Sequence, residues 1–378
     1  MQLKNSLTIF LFISVMIGFG LISAKCQVTM PRNPSPAAQV KQTIGASHVS
    51  IDYSRPSVVA LNGVDRTDHI WGEMVPYGFD LQSSYGNKKP LPWRAGANEN
   101  TVVRFSHDAI VEGNAVKAGA YGLFVALRQD GGATIILSKD TASWGSFFYE
   151  EANDALRFHV VTETIPLTPR LEYGFINLTK NACIVVLDWE KKRIPFKVEF
   201  DTDGIVVAGL RKGLANSKKP SMGRYNSAAR YCLNNMVNLK EGLAWAESSI
   251  NIKKTFGNQI TKAGILYRMG REKESEKLME ELLALPETTD ENYYSYGQQL
   301  MGQERYKEAI DLYSQLAQKW PDSWLKYHGL ARLYSAMKKF NKALGLEKKA
   351  LKNAPEANKY FVSRAIKLLE AGLDFNTM

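Results

Sequence analysis

Hydrophobic and polar residues alternate with a period of two through the first half of the chain. In the run HVSIDYS, Val49, Ile51 and Tyr53 fall on one face of an extended backbone and polar residues fall on the other. Similar runs follow at NTVVRFSH, AYGLFVALR, GATIILSK, ALRFHVVTET, RLEYGFINL, ACIVVLDW and RIPFKVEF. Turn-forming clusters such as VEGN and QDGG separate most of these runs. Eight short strands with this spacing predict an all-β domain over residues 47–201, an antiparallel β-sandwich or barrel.

The second half of the chain has a helical periodicity and an internal repeat. The segments YKEAIDLYSQLAQKWP (306–321) and FNKALGLEKKALKNAP (340–355) align without gaps. The alignment places Ala309 over Ala343, a separation of 34 residues. A period of this length indicates an array of stacked helical units rather than a bundle of unrelated helices.

Two weaker copies of the repeat precede this pair. They are centred on Gly242 and Ser275, so that successive centres are separated by 33, 34 and 34 residues. The period resembles that of the tetratricopeptide repeat, a helix–turn–helix unit of about 34 residues. We therefore expect an all-α, tetratricopeptide-type solenoid of about four units and a terminal helix over residues 224–373. A linker at 202–223 would join it to the β-domain.

The resemblance to this repeat assigns structural roles to several residues. It implies that Gly297 and Ala331 are the small residues at which two helices of a unit touch, and that Tyr306 and Phe340 open the second helices. The functional surface would then be the concave groove lined by the first helices, which can hold a protein or peptide partner.

The N-terminus has the composition of a secretory signal peptide. A single lysine precedes the apolar run LTIFLFISVMIGFGLI, and small residues end the run at Ala24. We expect residues 1–24 to be cleaved, which places the mature protein in the periplasm or cell envelope, or outside the cell. Lipid anchoring at Cys26 is disfavoured because Lys25 stands where a small residue is needed. Residues 25–46 contain several prolines and should run extended.

The positive charge of the protein is concentrated in its second half. The chain has 378 residues and a formal net charge of +10. Lysine and arginine balance aspartate and glutamate, 20 against 20, up to residue 210, but outnumber them 28 to 18 beyond it. Because an exported protein does not meet nucleic acid, this excess favours acidic peptides or a partner's C-terminal carboxylate at the helical repeats. No transmembrane segment is expected after cleavage of the signal.

The sequence contains no arrangement typical of a metal or cofactor site. There is no CxxC, HExxH or paired Cys/His spacing, so no metal and no cofactor is expected. Cys183 lies in an apolar run of the sequence and Cys232 in a helical segment, and both are interpreted as small buried hydrophobic residues.

Six motifs of the first half resemble, in order, the domain-of-unknown-function family 2911. They are SRPSV, IWGEMVPYG, WRAGANENT, VEGNAVKAGAYGLF, SWGSFFY and DALRFHV, and the likeness covers about residues 30–200. Proteins of this family are exported by bacteria, and many have helical repeats after the β-domain. Family members often join VPYG almost directly to the Trp-Arg motif, whereas here FDLQSSYGNKKPLP (79–92) is inserted. The resemblance implies an architecture and a setting but no reaction.

The stretch WRAGANENT has two interpretations. Arg94 and Glu99 could orient a substrate carboxylate and act as a general base, with Trp93 and Asn98 beside them. Alternatively the stretch is a structural corner in which Trp93 plugs the sheet and Arg94 pairs with Glu99. The structural interpretation is favoured because no nucleophile or metal can be assigned next to the base.

Other candidate groups lie outside this stretch. His107 follows a strand on the face of its apolar residues, so an acid–base role with Glu99 and Arg94 is conceivable. Loop aromatics, Trp144 among them, could stack on a sugar, but sealing the ends of the β-domain is the simpler role.

The sequence therefore predicts a non-catalytic, exported binding or scaffold protein whose helical repeats recruit a protein or peptide partner. A first alternative is a hydrolase that uses Arg94, Glu99 and His107. A second is a carbohydrate-binding module, with Trp93, Arg94, Asn98, Glu99 and Trp144 as the binding residues. In each case the β-domain could also bind a small molecule or a glycan.

Overall fold

A computed structural model describes residues 34–79 and 89–377. The predicted signal peptide, Cys26 and most of the 79–92 insertion lie outside the described residues. The chain divides into two compact units. The second unit contains Thr43–His48, Thr179–Ala182 and the chain from Glu199 onward, and the first contains the rest. No helix within residues 34–79 and 89–377 is both long and apolar enough to cross a membrane.

The first unit is built on two antiparallel sheets, as the alternating pattern predicts. A sheet of six strands has the order β1-β2-β3-β6-β7-β8, and a sheet of four has the order β5-β4-β10-β9. The strands are β1 (Ala37–Ile44), β2 (Ser47–Ser54), β3 (Thr101–Phe105), β4 (Ala109–Val111), β5 (Asn114–Val116), β6 (Gly119–Leu127), β7 (Gly132–Ser138), β8 (Asp154–Val161), β9 (Glu163–Ile176) and β10 (Ala182–Glu199).

Burial follows the alternation that the sequence shows. Val49, Ile51, Val103 and Phe105 are all buried, whereas Arg104 between the last two is exposed. Because successive side chains of a strand point to opposite faces, each strand gives one row of apolar side chains to the core. The all-β architecture of this half is thus confirmed.

The last strand differs from its prediction. ACIVVLDW and RIPFKVEF, expected as two strands, form the single 18-residue strand β10. The pairing register with β9 shifts on both sides of Glu190, whose φ of 53° is left-handed. A bulge therefore replaces the expected turn, and it lets the strand bend without a break.

Ten helices follow, and they confirm the all-α second half. They are α1 (Thr202–Ala215), α2 (Met222–Asn235), α3 (Leu239–Ile252), α4 (Phe256–Arg268), α5 (Glu272–Leu283), α6 (Asp290–Gly302), α7 (Tyr306–Lys319), α8 (Leu325–Ala336), α9 (Phe340–Asn353) and α10 (Glu356–Glu370). Helices α2 to α9 form four hairpins, and α10 is the terminal helix.

Most of the predicted linker at 202–223 is helix α1. The side chain of Asp201 accepts a hydrogen bond from Gly204 N and so caps the helix, while Val207 and Leu214 are buried. The glycines of this segment disfavour a helix in isolation, which hid it in the sequence; burial of its apolar side chains outweighs that cost.

The repeat register is visible as small buried residues. The centres named from the sequence, Gly242, Ser275, Ala309 and Ala343, are buried in α3, α5, α7 and α9. A matching column in the first helices has a spacing of 34 residues and consists of Ala229, Ala263, Gly297 and Ala331. Small residues at these positions let helix backbones approach one another closely.

Candidate functional site

The stretch WRAGANENT forms a corner that is tied to both sheets. Trp93 exchanges two backbone hydrogen bonds with Val125 of β6, at 2.8 and 2.9 Å, and its indole N–H donates to the Gly96 carbonyl. The carbonyl of Ala95 accepts from Thr101 Oγ1 at 3.0 Å and from Tyr173 Oη at 2.9 Å. Residues on β3, β6 and β9 therefore hold the corner in one conformation.

The corner contains unusual backbone conformations. Ala95 and Asn98 have left-handed φ angles of 53° and 61°, a region that residues other than glycine rarely occupy. Gly96 is needed for a different reason, because a Cβ there would lie 2.8 Å from Thr101 Oγ1 and 3.2 Å from the Ser54 carbonyl. Backbone strain of this kind persists where the surroundings over-determine it, and it is often found at binding sites.

Arg94 takes a carbonyl and a ring as its partners. Its Nη1 donates to the Asn98 carbonyl at 2.9 Å, and its guanidinium carbon lies 5.0 Å from the centre of the Phe147 ring. The guanidinium also packs on Gly145, where a Cβ would come within 2.5 Å of it. Burial lowers the pKa of Arg94. Among residues 34–79 and 89–377, no ion pair joins Arg94 to Glu99, so the predicted pairing does not hold the corner.

The three residues of the hydrolase alternative are not brought together. Glu99 is exposed and precedes β3, whereas His107 follows its far end, with Nδ1 3.0 Å from Ser106 Oγ. A strand of this length separates its ends by roughly 15 Å or more. Asp108, beside His107, pairs with Lys117 at 2.7 Å, and this hydrogen bond lowers its pKa.

Two further observations concern metals and sugars. Within the described ranges, no three His, Cys, Asp or Glu side chains gather as metal ligands. Trp144 is 46% exposed, in a loop that also contains the exposed Phe148. Trp93 is buried, so these two tryptophans do not form one exposed platform.

Trp93, Arg94 and Asn98 do share a concave pocket. This β-domain pocket has a volume of about 430 Å³ and is also lined by Trp189 and by residues of the 56–75 loop. The rings of Trp93 and Trp189 are stacked with centres 5.9 Å apart, and Trp71 meets both edge-on. The arginines lining it are Arg66, Arg94 and Arg170.

A second concave surface lies on the helical array. The helical groove, defined by the lining residues of α2, α4 and α6, has a volume of about 820 Å³. These are first helices of successive hairpins, as the repeat resemblance implied. Asn226, Arg230 and Asn234 are spaced by four residues and share one face of α2. Arg268 of α4 also lines it and donates to the Gly302 carbonyl at 2.8 Å.

The groove is rich in carboxamides. Its described lining residues include two arginines and no Asp or Glu. They also include six carboxamides, which are Asn226, Asn234, Asn292, Gln298, Gln299 and Gln303. Some are occupied within the fold: the side chain of Asn292 accepts from Thr289 N in a capping box. The Oδ1 atom of Asn226 is buried and has no hydrogen-bond partner in the described part of the chain.

The fold and these surfaces define the class: a two-sheet β-domain followed by an array of helical hairpins. Residues 35–198 match the model of the family described as "Protein of unknown function (DUF2911)". This match confirms the resemblance that the six motifs indicated.

Solved structures similar to this chain include tetratricopeptide-repeat proteins. MamA from Desulfovibrio magneticus RS-1 is 18% identical, with 41% of this chain and 93% of that chain covered and a TM-score of 0.24. YrrB, described as a TPR protein with an unusual peptide-binding site, is 16% identical, with 44% and 90% covered and a TM-score of 0.26. A tetratricopeptide repeat protein from Parabacteroides merdae ATCC 43184 is 18% identical, with 45% and 80% covered and a TM-score of 0.20. A comparison with curated proteins gave no match.

Sequence reasoning missed most of the lining of the β-domain pocket. Arg170 and Trp189 follow WRAGANENT by roughly 70 and 90 residues in the sequence. The pairing of β9 with β10 brings these two residues together, and the stacking of Trp189 on Trp93 places them beside the stretch. The one local signal is the polar run after Trp189, which marks the bulge but resembles a turn.

Proposed function

We propose that this protein is an exported, non-catalytic binding protein whose helical groove holds an extended peptide segment of a partner protein. The observation that carries the proposal is the lining of the groove, in which arginines and carboxamides converge and the described residues supply no carboxylate.

Carboxamides suit the backbone of an extended peptide. Each Asn or Gln side chain has an acceptor oxygen and a donor nitrogen, which match the alternating C=O and N–H groups of a peptide. The buried Oδ1 of Asn226 supports this role because an unpaired buried acceptor costs free energy that a peptide N–H would recover. Asn234 lies two turns further along the same face of α2 and continues the row.

The charge of the groove favours an acidic peptide. Arg230 is exposed at the groove, and Arg268 is half-buried beside it. Guanidinium groups bind carboxylates in a bidentate way, and the uncompensated positive potential also speeds the encounter with an acidic partner. The signal peptide, the envelope location and the absence of catalysis remain parts of this proposal.

Binding of labelled peptides tests the proposal. Fluorescence anisotropy should give saturable binding for an Asp/Glu-rich peptide of about ten residues, a length that spans a groove of this type, and much weaker binding for a Lys/Arg-rich peptide. Arg230→Glu and Asn226→Ala should each weaken the binding of the acidic peptide. Lys352→Glu, an equal change of charge on the exposed face of α9, is the matched control.

The outcome that contradicts the proposal is equally definite. Equal affinity for both peptides, or an affinity that Arg230→Glu changes no more than Lys352→Glu does, would mean that the groove is not the binding surface. If binding does depend on the groove, proteins captured from the cell envelope can be identified to find the partner.

A further inference from the structure

The β-domain pocket has a rim of apolar side chains that the fold leaves uncovered. Val59 is 48% exposed, Leu61 73% and Met74 37%, and all three line the pocket. Its inner wall is formed by the buried rings of Trp93 and Trp189. A cavity of about 430 Å³ with such walls falls within the size range of small-molecule sites.

The charged groups that line the β-domain pocket are positive. Its lining, as far as the structure describes the chain, includes three arginines and no Asp or Glu. Arg66 is engaged with the fold through the carbonyls of Val58 and Ser57. Arg94 and Arg170 each use only Nη1 within the described residues, toward the carbonyls of Asn98 and Arg55. Both partners are backbone carbonyls, so no carboxylate of the described residues neutralises either guanidinium.

Two further features indicate a site that is prepared rather than incidental. The indole N–H of Trp189, a buried side chain of the wall, has no hydrogen-bond partner among residues 34–79 and 89–377. The left-handed backbone at Asn98, in the wall, and at Glu190, next to Trp189, is strained. An unpaired buried donor, left-handed backbone in or next to the wall, and two arginines that hydrogen-bond only to backbone carbonyls within the described residues therefore occur at one cavity.

We infer that the β-domain pocket binds a small organic anion that has an apolar body, such as a medium-chain carboxylate. Arg170 and Arg94 hold the anionic head, and Trp93, Leu61 and Met74 cover the apolar body.

A neutral sugar suits this pocket less well. Sugar sites need several acceptors as well as donors, whereas the charged groups here are all donors. Aliphatic and indole walls instead favour a ligand with an apolar body. Burying apolar surface from water stabilises the complex by about 25 cal/mol per Å². An anion in turn compensates guanidinium charge that no carboxylate of the pocket neutralises.

The experiment uses the full chain, with octanoate and octanol as the probes. Isothermal titration calorimetry gives the affinities, and tryptophan fluorescence reports contact with Trp93 and Trp189. The informative variants are Arg170→Met, which removes the charge and keeps the length, and Leu61→Glu, which adds a negative charge at an exposed rim position. Leu61→Gln is the uncharged match for the latter, and Arg128→Met removes an arginine outside the pocket.

Octanoate should bind saturably and more tightly than octanol. Arg170→Met and Leu61→Glu should weaken it about tenfold to a hundredfold, since a charge-assisted hydrogen bond is worth about 1.5–3 kcal/mol. Leu61→Gln should weaken octanoate clearly less than Leu61→Glu, because it loses apolar contact but adds no negative charge. Arg128→Met should stay close to the parent protein.

Absence of saturable octanoate binding, equal affinity for octanol, or equal weakening by Leu61→Glu and Leu61→Gln would overturn the inference. If thermal melts show that Arg170→Met is unfolded, the Leu61 pair alone decides. Arg230→Glu should leave octanoate binding unchanged, which separates this site from the helical groove.

Discussion

The ring of Tyr313 lies against the backbone of Gly297: a Cβ at this glycine would be 2.4 Å from Cζ of the tyrosine. A Cβ at Gly329 would be equally close to Cε1 of the same ring. Tyr313, which is fully buried in α7, is therefore clamped between α6 and α8. The glycine at 297 is thus the small contact residue that the repeat pattern predicted.

Adding a methyl group at either glycine should overpack this contact. Gly297→Ala and Gly329→Ala should each lower the free energy of unfolding by about 1–3 kcal/mol, because the buried ring has no room to move. Gly345→Ala in α9 is the control, since nothing lies within 4 Å of its added Cβ. There the better helix propensity of alanine should raise the free energy of unfolding by about 0.5–1 kcal/mol. Denaturant titrations measure all three; the same sign for all would contradict the packing described.

The two hydroxyls on the Ala95 carbonyl should be partly redundant. Thr101→Val or Tyr173→Phe leaves one hydrogen bond to this buried oxygen, so each should cost about 0.5–1.5 kcal/mol. The double variant leaves the carbonyl without either donor and should cost more than the sum of the two. Burial raises the pKa of Tyr173 well above its usual value, so its hydroxyl stays a donor across the accessible pH range. Strict additivity in denaturant titrations would count against a shared acceptor.

The two described cysteines should not react with thiol reagents in the native protein. Burial raises the pKa of both Cys183 and Cys232 to about 11, so very little thiolate exists at pH 8. In a Cys26→Ser background, a disulfide reagent such as Ellman's should not react with the native protein and should titrate two thiols after denaturation. Rapid labelling of a native thiol would show that its surroundings open far more readily than their burial implies.

The carboxylate of Asp203, in the helical unit, should make the stability of the protein depend on pH. Hydrogen bonds from Lys180 and Tyr231 lower the pKa of Asp203. A lowered folded pKa means that the stabilisation is present above the unfolded value of about 3.9 and is lost as the pH falls through the folded value. Asp203→Asn should therefore destabilise the protein at neutral pH, and this effect should disappear as the pH falls through the lowered folded pKa of Asp203.

The matched control for this pH dependence is Asp322→Asn, at an exposed position of the same unit. Denaturant titrations from neutral to acidic pH would compare both variants with the parent. A difference between Asp203→Asn and the parent that stays constant over the whole range would exclude the linkage.

The sequence predicted the fold well wherever apolar residues recur at a regular spacing, because that spacing shows which side chains are buried. Alternation at Val49, Ile51 and Tyr53 predicted a buried strand face, and the 34-residue spacing of Ala309 and Ala343 predicted helix contacts. Helices α7 and α9 begin at Tyr306 and Phe340, the aromatic residues that the repeat assigned to these positions.

It was uninformative where tertiary contacts override local preference. Glycines hid α1, which depends on burial of Val207 and Leu214, and the polar residues after Trp189 hid the continuity of β10. The partners of Arg94 could not be predicted either. They are the backbone carbonyl of Asn98 and the ring of Phe147, which are uncharged and so cannot be found from the pattern of charged residues. Both concave surfaces are assembled from distant segments, so only the fold brings their residues together.

The register of small residues also bears on how such an array can change over evolutionary time. Each hairpin holds its own buried small residue, from Gly242 to Ala343, at nearly constant spacing. A duplication or deletion of one whole period would keep every helix junction compatible, whereas an insertion of a few residues inside a helix would break one. Length variation among relatives of this array should therefore come in whole multiples of the repeat, with the groove lengthening or shortening by one first helix at a time.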